Sequence, residues 1–193
     1  MIVTVSRQMG SWGTQVAEEA ARRLDYRMVW REVINQAALR AGVPEVALAT
    51  IDELGLLGIK PSQNDLQAYH RAVRQIMLEV AKEGNVVIVG RAGQVILQDY
   101  SNTVHVRVIA PRAVRVARVS DEQNAPGLTE SASMALLDHS DHIRADYLKR
   151  YYHVDVNDPH LYDLVINTGH IDLPTAADLV CSLVNACQTV LSS

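Results

Sequence analysis

The stretch IVTVSRQMGSWGTQVA, residues 2–17, sets the architecture that the rest of the sequence predicts. Its first four residues are β-favouring and mostly apolar, so they predict a short buried strand. A polar, glycine-bearing turn at residues 6–13 follows and leads directly into the helical pattern of residues 16–24. A strand, a glycine loop and a helix in this order point backbone N–H groups and a helix N-terminus at one spot, which is an anion site. A phosphate group is the expected occupant.

The loop departs from a complete phosphate-binding loop, which reads G-x-x-x-x-G-K-S/T. No lysine lies between Met1 and Arg22, so the cation that normally reaches the phosphates is missing from this segment. Taken alone, the segment is therefore equally compatible with a plain tight turn between a strand and a helix.

Composition restricts the class of protein. The 193 residues fit one α/β domain that can bury a substantial core. A hydrophobic fraction of 48% and a charged fraction of 21% are typical of a globular protein and argue against disorder and membrane spanning. A net charge of −4 gives no electrostatic footprint for nucleic acid. The chain begins in a strand without a charged segment followed by an apolar one, so the expected location is the cytoplasm. Cys181 and Cys187 are predicted to be reduced packing residues.

Strands and helices alternate along the chain, which predicts a parallel sheet with right-handed crossovers. A mobile connection is predicted at residues 55–61, which hold two glycines and a proline. The unbroken β-branched run at residues 85–90 predicts a central parallel strand, buried on both faces. The other predicted strands are residues 26–30, 103–110 and 161–167. The predicted helices are residues 14–24, 31–40, 44–54, 64–83, 91–97, a helix beginning at Pro111, residues 129–152 with an interruption or a bend near 138–141, and residues 174–191.

Ligands of such sheets bind beyond the carboxyl ends of the strands, so the residues that follow each strand are the candidates for a site. Arg91 directly follows a predicted buried strand, which favours phosphate binding over an exposed surface position. Asp141 and Arg144 are spaced i, i+3 on a predicted helix. That spacing fits an intrahelical ion pair as well as it fits a functional pair. Six histidines are predicted to be surface or loop residues without a metal site: His105, His139, His142, His153, His160 and His170.

Five segments together resemble the cytidylate kinase-like family, relatives of the phosphate-loop nucleoside monophosphate kinases. They are IVTVSRQMGS at residues 2–11, VVIVGRAGQVIL at 86–97, HVRVIAPRAVRVARV at 105–119, DHIRADYLKRYY at 141–152 and DPHLYDLVINT at 158–168. The resemblance implies an α/β fold with a five-stranded parallel sheet flanked by helices, in the three-layer P-loop NTPase architecture. It also implies one kinase-like domain over residues 1–193, with an inserted helical acceptor-binding region at about 31–83 and a lid at about 119–150.

The same resemblance assigns roles to residues. Gly10, Ser11 and Gly13 would hold the donor phosphates in a nucleotide-binding loop that also contains Trp12 and Thr14. Arg91 would hold the monophosphate of the acceptor. The lid would be served by Arg115, Arg118, Asp141 and Arg144, and Arg7 is the cation nearest to the loop in sequence. ATP would bring magnesium with it, coordinated mostly by phosphates and water.

Three positions depart from the family pattern, and they keep two classes of function open. Relatives commonly read S-R-Q-x-G-S-G-G-R after the first strand, whereas this chain has Trp12 in place of a glycine and Thr14 in place of the arginine. Trp30 stands where relatives commonly have aspartate. Each tryptophan either packs or stacks on a base. The first class is an enzyme that transfers the terminal phosphate of ATP to a nucleoside monophosphate such as CMP. The second is a weak or inactive relative that binds a nucleotide or other phosphorylated small molecule, or that assembles into a homo-oligomer.

Overall fold

The computed structural model describes residues 1–30, 63–122 and 129–191, together with positions 33, 36, 37, 39, 40 and 42. The helix predicted at residues 44–54, the connection predicted at residues 55–61 and most of the helix predicted at residues 31–40 lie outside the described residues. The strands are β1 (Ile2–Arg7), β2 (Arg27–Val29), β3 (Val86–Val89), β4 (Thr103–Ile109) and β5 (Leu164–Asn167). The helices are α1 (Gly13–Leu24), α2 (Gln63–Glu83), α3 (Gly93–Ile96), α4 (Arg112–Glu122), α5 (Glu130–Tyr152) and α6 (Leu173–Leu191), and a 3-10 turn covers Pro159–Leu161.

The five strands form one parallel sheet in the order β2-β3-β1-β4-β5, which confirms the predicted architecture. The central strand is β1, whose six residues are all buried. β3 is buried throughout and lies between β2 and β1, which confirms that the run at residues 85–90 forms a central parallel strand buried on both faces. A β-branched run shows that a strand has neighbours on both sides but does not specify its place in the order.

Helices cover both faces of the sheet and produce three layers. Side chains alternate along β1, so Val3 and Val5 join one core cluster while Ile2 joins the other. Small residues of α1 and α6 allow both helices to pack closely on the first face, among them Ala17, Ala20, Ala176 and Ala177. On the second face α2 supplies Tyr69, Val73, Ile76 and Met77. Thr4 and Ser6 point to this second face as well, which makes it the more polar one near the end of β1.

Helix α5 is continuous over 23 residues, so it is not interrupted near residues 138–141, and the alternative of a bend there stays a prediction. The polar run that suggests a break lies against α4 instead. Asp138 forms an ion pair with Arg112 at 2.7 Å, and Asp141 forms one with Arg115 at 2.9 Å. Because these pairs join two helices, they stabilise the polar stretch in helical form. Ser140, between the two aspartates, is fully buried.

His105 contradicts the prediction that the six histidines are surface or loop residues. It lies within β4, where its Nδ1 is 2.7 Å from the Thr4 hydroxyl on the neighbouring strand. Burial lowers the pKa of this imidazole. The other five histidines of the predicted set are exposed. In the described part of the chain, no helix is both long and apolar enough to cross a membrane.

Candidate active site

The loop between β1 and α1 contains two glycines that no other residue could replace without displacing a neighbour. Gly10 has a φ of 72°, and a Cβ there would lie 2.7 Å from the carbonyl oxygen of Arg115. A Cβ on Gly13 would lie 2.3 Å from the Cβ of Arg7. The loop is therefore packed tightly between α4 and the end of β1. This close approach explains both glycines structurally, whatever the loop binds.

The carbonyl groups of three successive loop residues accept hydrogen bonds from neighbouring elements. Arg115 Nη1 donates to the carbonyl of Met9 at 3.4 Å, and Arg118 Nη1 donates to that of Gly10 at 3.3 Å. The Thr168 hydroxyl donates to the Ser11 carbonyl at 2.9 Å. Helix α1 then begins behind Trp12, whose side chain makes no capping hydrogen bond. The first amides of a helix have no partner within the helix, so the start of α1 offers donors to an anion.

Ser11 fixes the shape of this loop. Its hydroxyl donates to the carbonyls of Gln8 at 2.8 Å and Val108 at 3.1 Å, and its backbone N–H reaches the Gln8 carbonyl at 3.3 Å. The side chain is fully buried. Thr14, in the first turn of α1, is half-buried. A contact of these residues with donor phosphates stays a prediction.

Each of the two tryptophans that depart from the family pattern lies against an arginine. The Cζ of Arg118 is 3.3 Å from the ring centroid of Trp12, and the Cζ of Arg7 is 5.7 Å from that of Trp30. Arg118 also donates from Nη1 to the Thr168 hydroxyl at 2.9 Å and from Nη2 to its carbonyl at 2.7 Å. Arg118 of α4 thus contacts both the ring of Trp12 and the turn after β5. Trp12 itself has a left-handed backbone conformation, with a φ of 61°.

Four arginines are buried near the carboxyl ends of adjacent strands, and no aspartate or glutamate among the described residues is buried with them. Arg7 ends β1, Arg91 follows β3, Arg107 lies two residues before the end of β4, and Arg115 lies in the first turns of α4. Their relative exposures are 7%, 3%, 6% and 5%. A buried charge is costly unless an opposite charge compensates it. This set of arginines places several positive charges at one edge of the sheet, in a protein whose net charge is −4.

Arg115 is a buried arginine with a carboxylate partner. Its Nη1 is 2.9 Å from a carboxylate oxygen of Asp141, whose side chain is 32% exposed. Asp141 on α5 therefore pairs with an arginine of the neighbouring helix α4, in addition to the intrahelical pair with Arg144 that its i, i+3 spacing allows. The Nε of Arg115 is buried and makes no hydrogen bond within the described residues.

Arg144 lies on the side of α5 that faces the protein. Its buried neighbours on that side are Ser140, one turn before it, and Leu148, one turn after it. Leu137 belongs to a cluster with residues of α4 against which Met9 of the loop packs, and Leu148 packs in the α2 cluster. Arg144 is therefore placed between the loop after β1 and the region around Arg91.

Arg91 lies in a turn of left-handed residues between β3 and α3, with a φ of 56°. It is buried, so the alternative of an exposed surface arginine is wrong. Near it is an aromatic cluster that the sequence analysis missed. His70 of α2 stacks on Tyr151 with ring centroids 4.1 Å apart and lies close to Tyr69, Tyr147 and Tyr152. Burial, with the charge of Arg91 as a smaller cause, lowers the pKa of His70 to about 4.

The sequence analysis also missed a buried polar network at the end of β1. Arg107 donates to the hydroxyls of Ser6 at 3.1 Å and Tyr162 at 3.3 Å, and to the side-chain carbonyl of Asn157 at 3.0 Å. The signal was available, because an arginine inside a predicted strand of a parallel sheet is unusual. Among the described residues, no three His, Cys, Asp or Glu side chains gather in a way that could hold a metal ion.

Comparison with known proteins adds three kinds of likeness. The family model described as "Cytidylate kinase-like family" matches residues 2–170. A cytidylate kinase of Methanocella arvoryzae is 28% identical over 186 residues, covering 93% of this chain and 94% of that protein. A cytidylate kinase of Pyrococcus horikoshii is 29% identical over 170 residues, covering 88% and 80%.

Among solved structures, an uncharacterized protein from Eubacterium ventriosum matches with a TM-score of 0.73 at 21% identity, covering 96% of this chain and 98% of that one. A shikimate kinase from Bacteroides thetaiotaomicron matches with a TM-score of 0.57 at 14% identity, again covering 96% and 98%. At these identities the structures establish the common fold.

Proposed function

Because the chain belongs to the cytidylate kinase-like family, we propose that it transfers the terminal phosphate of ATP to a nucleoside monophosphate such as CMP. The observation that carries the proposal is the set of four arginines buried near the carboxyl ends of β1, β3 and β4. Two phosphorylated substrates would bind guanidinium groups of this set through charge-assisted hydrogen bonds. Phosphoryl transfer depends mainly on positioning and on electrostatic stabilisation, which arginines provide.

The roles of the residues follow from their places. The amides at the start of α1, beyond Gly10 and Ser11, would take the donor phosphates, with Gly13 and Thr14 in the first turn. Arg91 would take the monophosphate of the acceptor. Arg144 lies between these two regions on α5, where it would meet the phosphate in transfer.

Two further arginines shape the donor side. Arg115, held by Asp141, has a buried Nε–H with no acceptor in the described structure, and a phosphate oxygen would be its natural partner. Arg118 would act through the loop, because it binds the Gly10 carbonyl and Trp12. Arg7, buried at the end of β1, adds positive charge in the position closest to the missing lysine.

Magnesium would enter with ATP and neutralise part of the charge on its phosphates, coordinated by phosphate oxygens and water. The buried guanidinium groups and the start of α1 fit a triphosphate. The protein's own contribution is to bind and orient the two substrates and to spread the developing charge over several N–H donors.

A second candidate, a weak or inactive nucleotide-binding relative, is favoured by the same loop. The segment has no lysine, and the Ser11 hydroxyl is engaged with backbone carbonyls. Losing one well-placed donor lowers an enzyme's rate by about a hundredfold or more. We therefore propose a turnover below that of typical kinases, with binding of both substrates preserved.

The test is a thermal-shift panel of nucleoside mono-, di- and triphosphates with and without magnesium, combined with a coupled assay of ATP consumption in the presence of CMP. Specific binding raises the midpoint by mass action. Arg91→Met should remove the shift caused by CMP, whereas Arg22→Met should leave it unchanged. Arg22 is a suitable control because its side chain is 70% exposed and pairs with Glu19 of its own helix, α1. A panel without any shift for the wild type would refute the proposal.

A further inference from the structure

Arg107 differs from the paired arginines of the structure in what surrounds it. Its guanidinium is buried, and its hydrogen-bond partners are Ser6, Tyr162 and Asn157, all of which are uncharged. The ring of Tyr162 lies 5.4 Å from its Cζ. Within the described residues, no carboxylate lies within ion-pair distance of Arg107.

Six other arginines show the contrast, because each has an aspartate or glutamate partner. They are Arg22, Arg23, Arg27, Arg40, Arg112 and Arg115. Five of the six are at least partly exposed, where an ion pair contributes little. A buried guanidinium gains most from a compensating anion, since water screens its charge least. Arg107 is buried, and its hydrogen-bond partners are uncharged polar groups.

The hydrogen-bond capacity of Arg107 is also incompletely used. An arginine carries five N–H donors. Its three described hydrogen bonds use both protons of Nη1 and one of Nη2. The Nε–H and one Nη2–H remain as donors. A phosphate or carboxylate typically accepts two hydrogen bonds from one guanidinium, which matches these two donors.

The position of Arg107 connects it with the proposed acceptor site. It pairs in register with Ser6, which directly precedes Arg7 and the loop. The Tyr162 hydroxyl that accepts from Arg107 also lies 3.4 Å from the Nε2 of Gln94. Gln94 is one turn beyond Arg91 in α3. Arg107 therefore lies on the same face of the sheet as α3, between the loop and the turn that carries Arg91.

We infer that Arg107 is an anion-binding residue of the proposed acceptor site, where it binds the phosphate of the acceptor. This inference rests on the proposed function, and it adds a substrate-binding group to it. The acceptor phosphate takes the two remaining N–H donors of Arg107 and is shared with Arg91. Ser6, Tyr162 and Asn157 hold the guanidinium plane in place so that it is oriented before the acceptor arrives.

The experiment compares the binding of CMP, of cytidine and of a non-hydrolysable ATP analogue by calorimetry. Arg107→Gln should weaken CMP binding by about tenfold or more, since hydrogen bonds to charged groups are the strong ones. The affinity for cytidine, which has no phosphate, and the affinity for the ATP analogue should stay within about twofold of the wild type. Arg27→Gln is the matched control, because Arg27 is also a strand arginine but pairs with Glu83 at the surface.

The outcomes separate the inference from the proposed function. If the wild type binds neither CMP nor the ATP analogue, the proposed function fails. If it binds both and a folded Arg107→Gln binds CMP as well as Arg27→Gln does, only the assignment of Arg107 fails. Should Arg107→Gln not fold, Arg107→Lys replaces it, keeping the charge and losing the planar fork. Weaker CMP binding with unchanged cytidine binding supports the inference, whereas a lower melting temperature with unchanged CMP binding overturns it.

Discussion

Replacing Asp141 by asparagine tests whether the carboxylate beside Arg115 is needed for stability. Removing one partner of a fully buried ion pair costs about 3–5 kcal/mol, because a charge is left without compensation. Here the Arg115 side chain is 6% exposed but that of Asp141 is 32% exposed, so solvent screens part of the interaction. We expect Asp141→Asn to lower the free energy of unfolding by about 2 kcal/mol.

Asp138 provides a control one turn away on the same helix. It pairs with Arg112, and the two side chains are 63% and 48% exposed, respectively. An exposed pair of this kind contributes about 0–1 kcal/mol, so Asp138→Asn should change stability by less than half as much as Asp141→Asn. Both variants are compared with the wild type by urea unfolding at low and at moderate salt concentration. Added salt should reduce the effect at position 138 more than that at 141.

The reasoning also predicts how ligand changes the comparison. If phosphate binds beside Arg115, it supplies the negative charge that Asp141→Asn removes. The ATP analogue should therefore stabilise Asp141→Asn by at least as much as it stabilises the wild type. Equal destabilisation by the two asparagine substitutions would refute the view that burial of Arg115 sets the strength of this pair.

Three further predictions concern the loop and the aromatic cluster. Gly13→Ala should lower the free energy of unfolding, measured by urea titration, by about 1–3 kcal/mol, because the new Cβ would lie 2.3 Å from the Cβ of Arg7. Gly84→Ala is the comparison: its Cβ would meet nothing within 4 Å, so it should cost only the backbone strain of a φ of 67°. In the Trp30→Phe variant, Trp12 is the remaining tryptophan. If the triphosphate binds at the start of α1 as proposed, the ATP analogue should change the indole fluorescence of Trp12, whose ring lies against Arg118. An unchanged spectrum at saturating analogue would place the triphosphate elsewhere. The pKa of His70 is about 4 in the folded protein and about 6.5 in the unfolded chain, so the unfolded chain binds more protons between these two pH values. The free energy of unfolding should therefore be highest above pH 6.5 and should decrease as the pH falls towards 4. His70→Phe should make unfolding less pH-dependent in that window, and an identical pH profile would contradict the lowered pKa.

The local sequence determined most of the architecture. The β-branched runs at residues 2–5 and 86–89, the glycine turn and the alternation of strands with helices are patterns that adjacent residues create, and they predicted the five-stranded parallel sheet. The resemblance of five segments added the family, which the match over residues 2–170 confirms. Burial of Arg91 after β3 follows from the same local pattern.

The partners of the charged and aromatic residues were decided only by the tertiary structure. Asp141 has Arg144 at a suitable spacing on its own helix, but Arg115 of the neighbouring helix pairs with it. Trp12 packs on Arg118, which is 106 positions away, and Arg107 meets Tyr162 across 55 positions. A sequence pattern records which residues share a face of one helix or strand. It carries no information on which faces of distant elements meet, because that depends on strand order and on the packing of whole layers against each other.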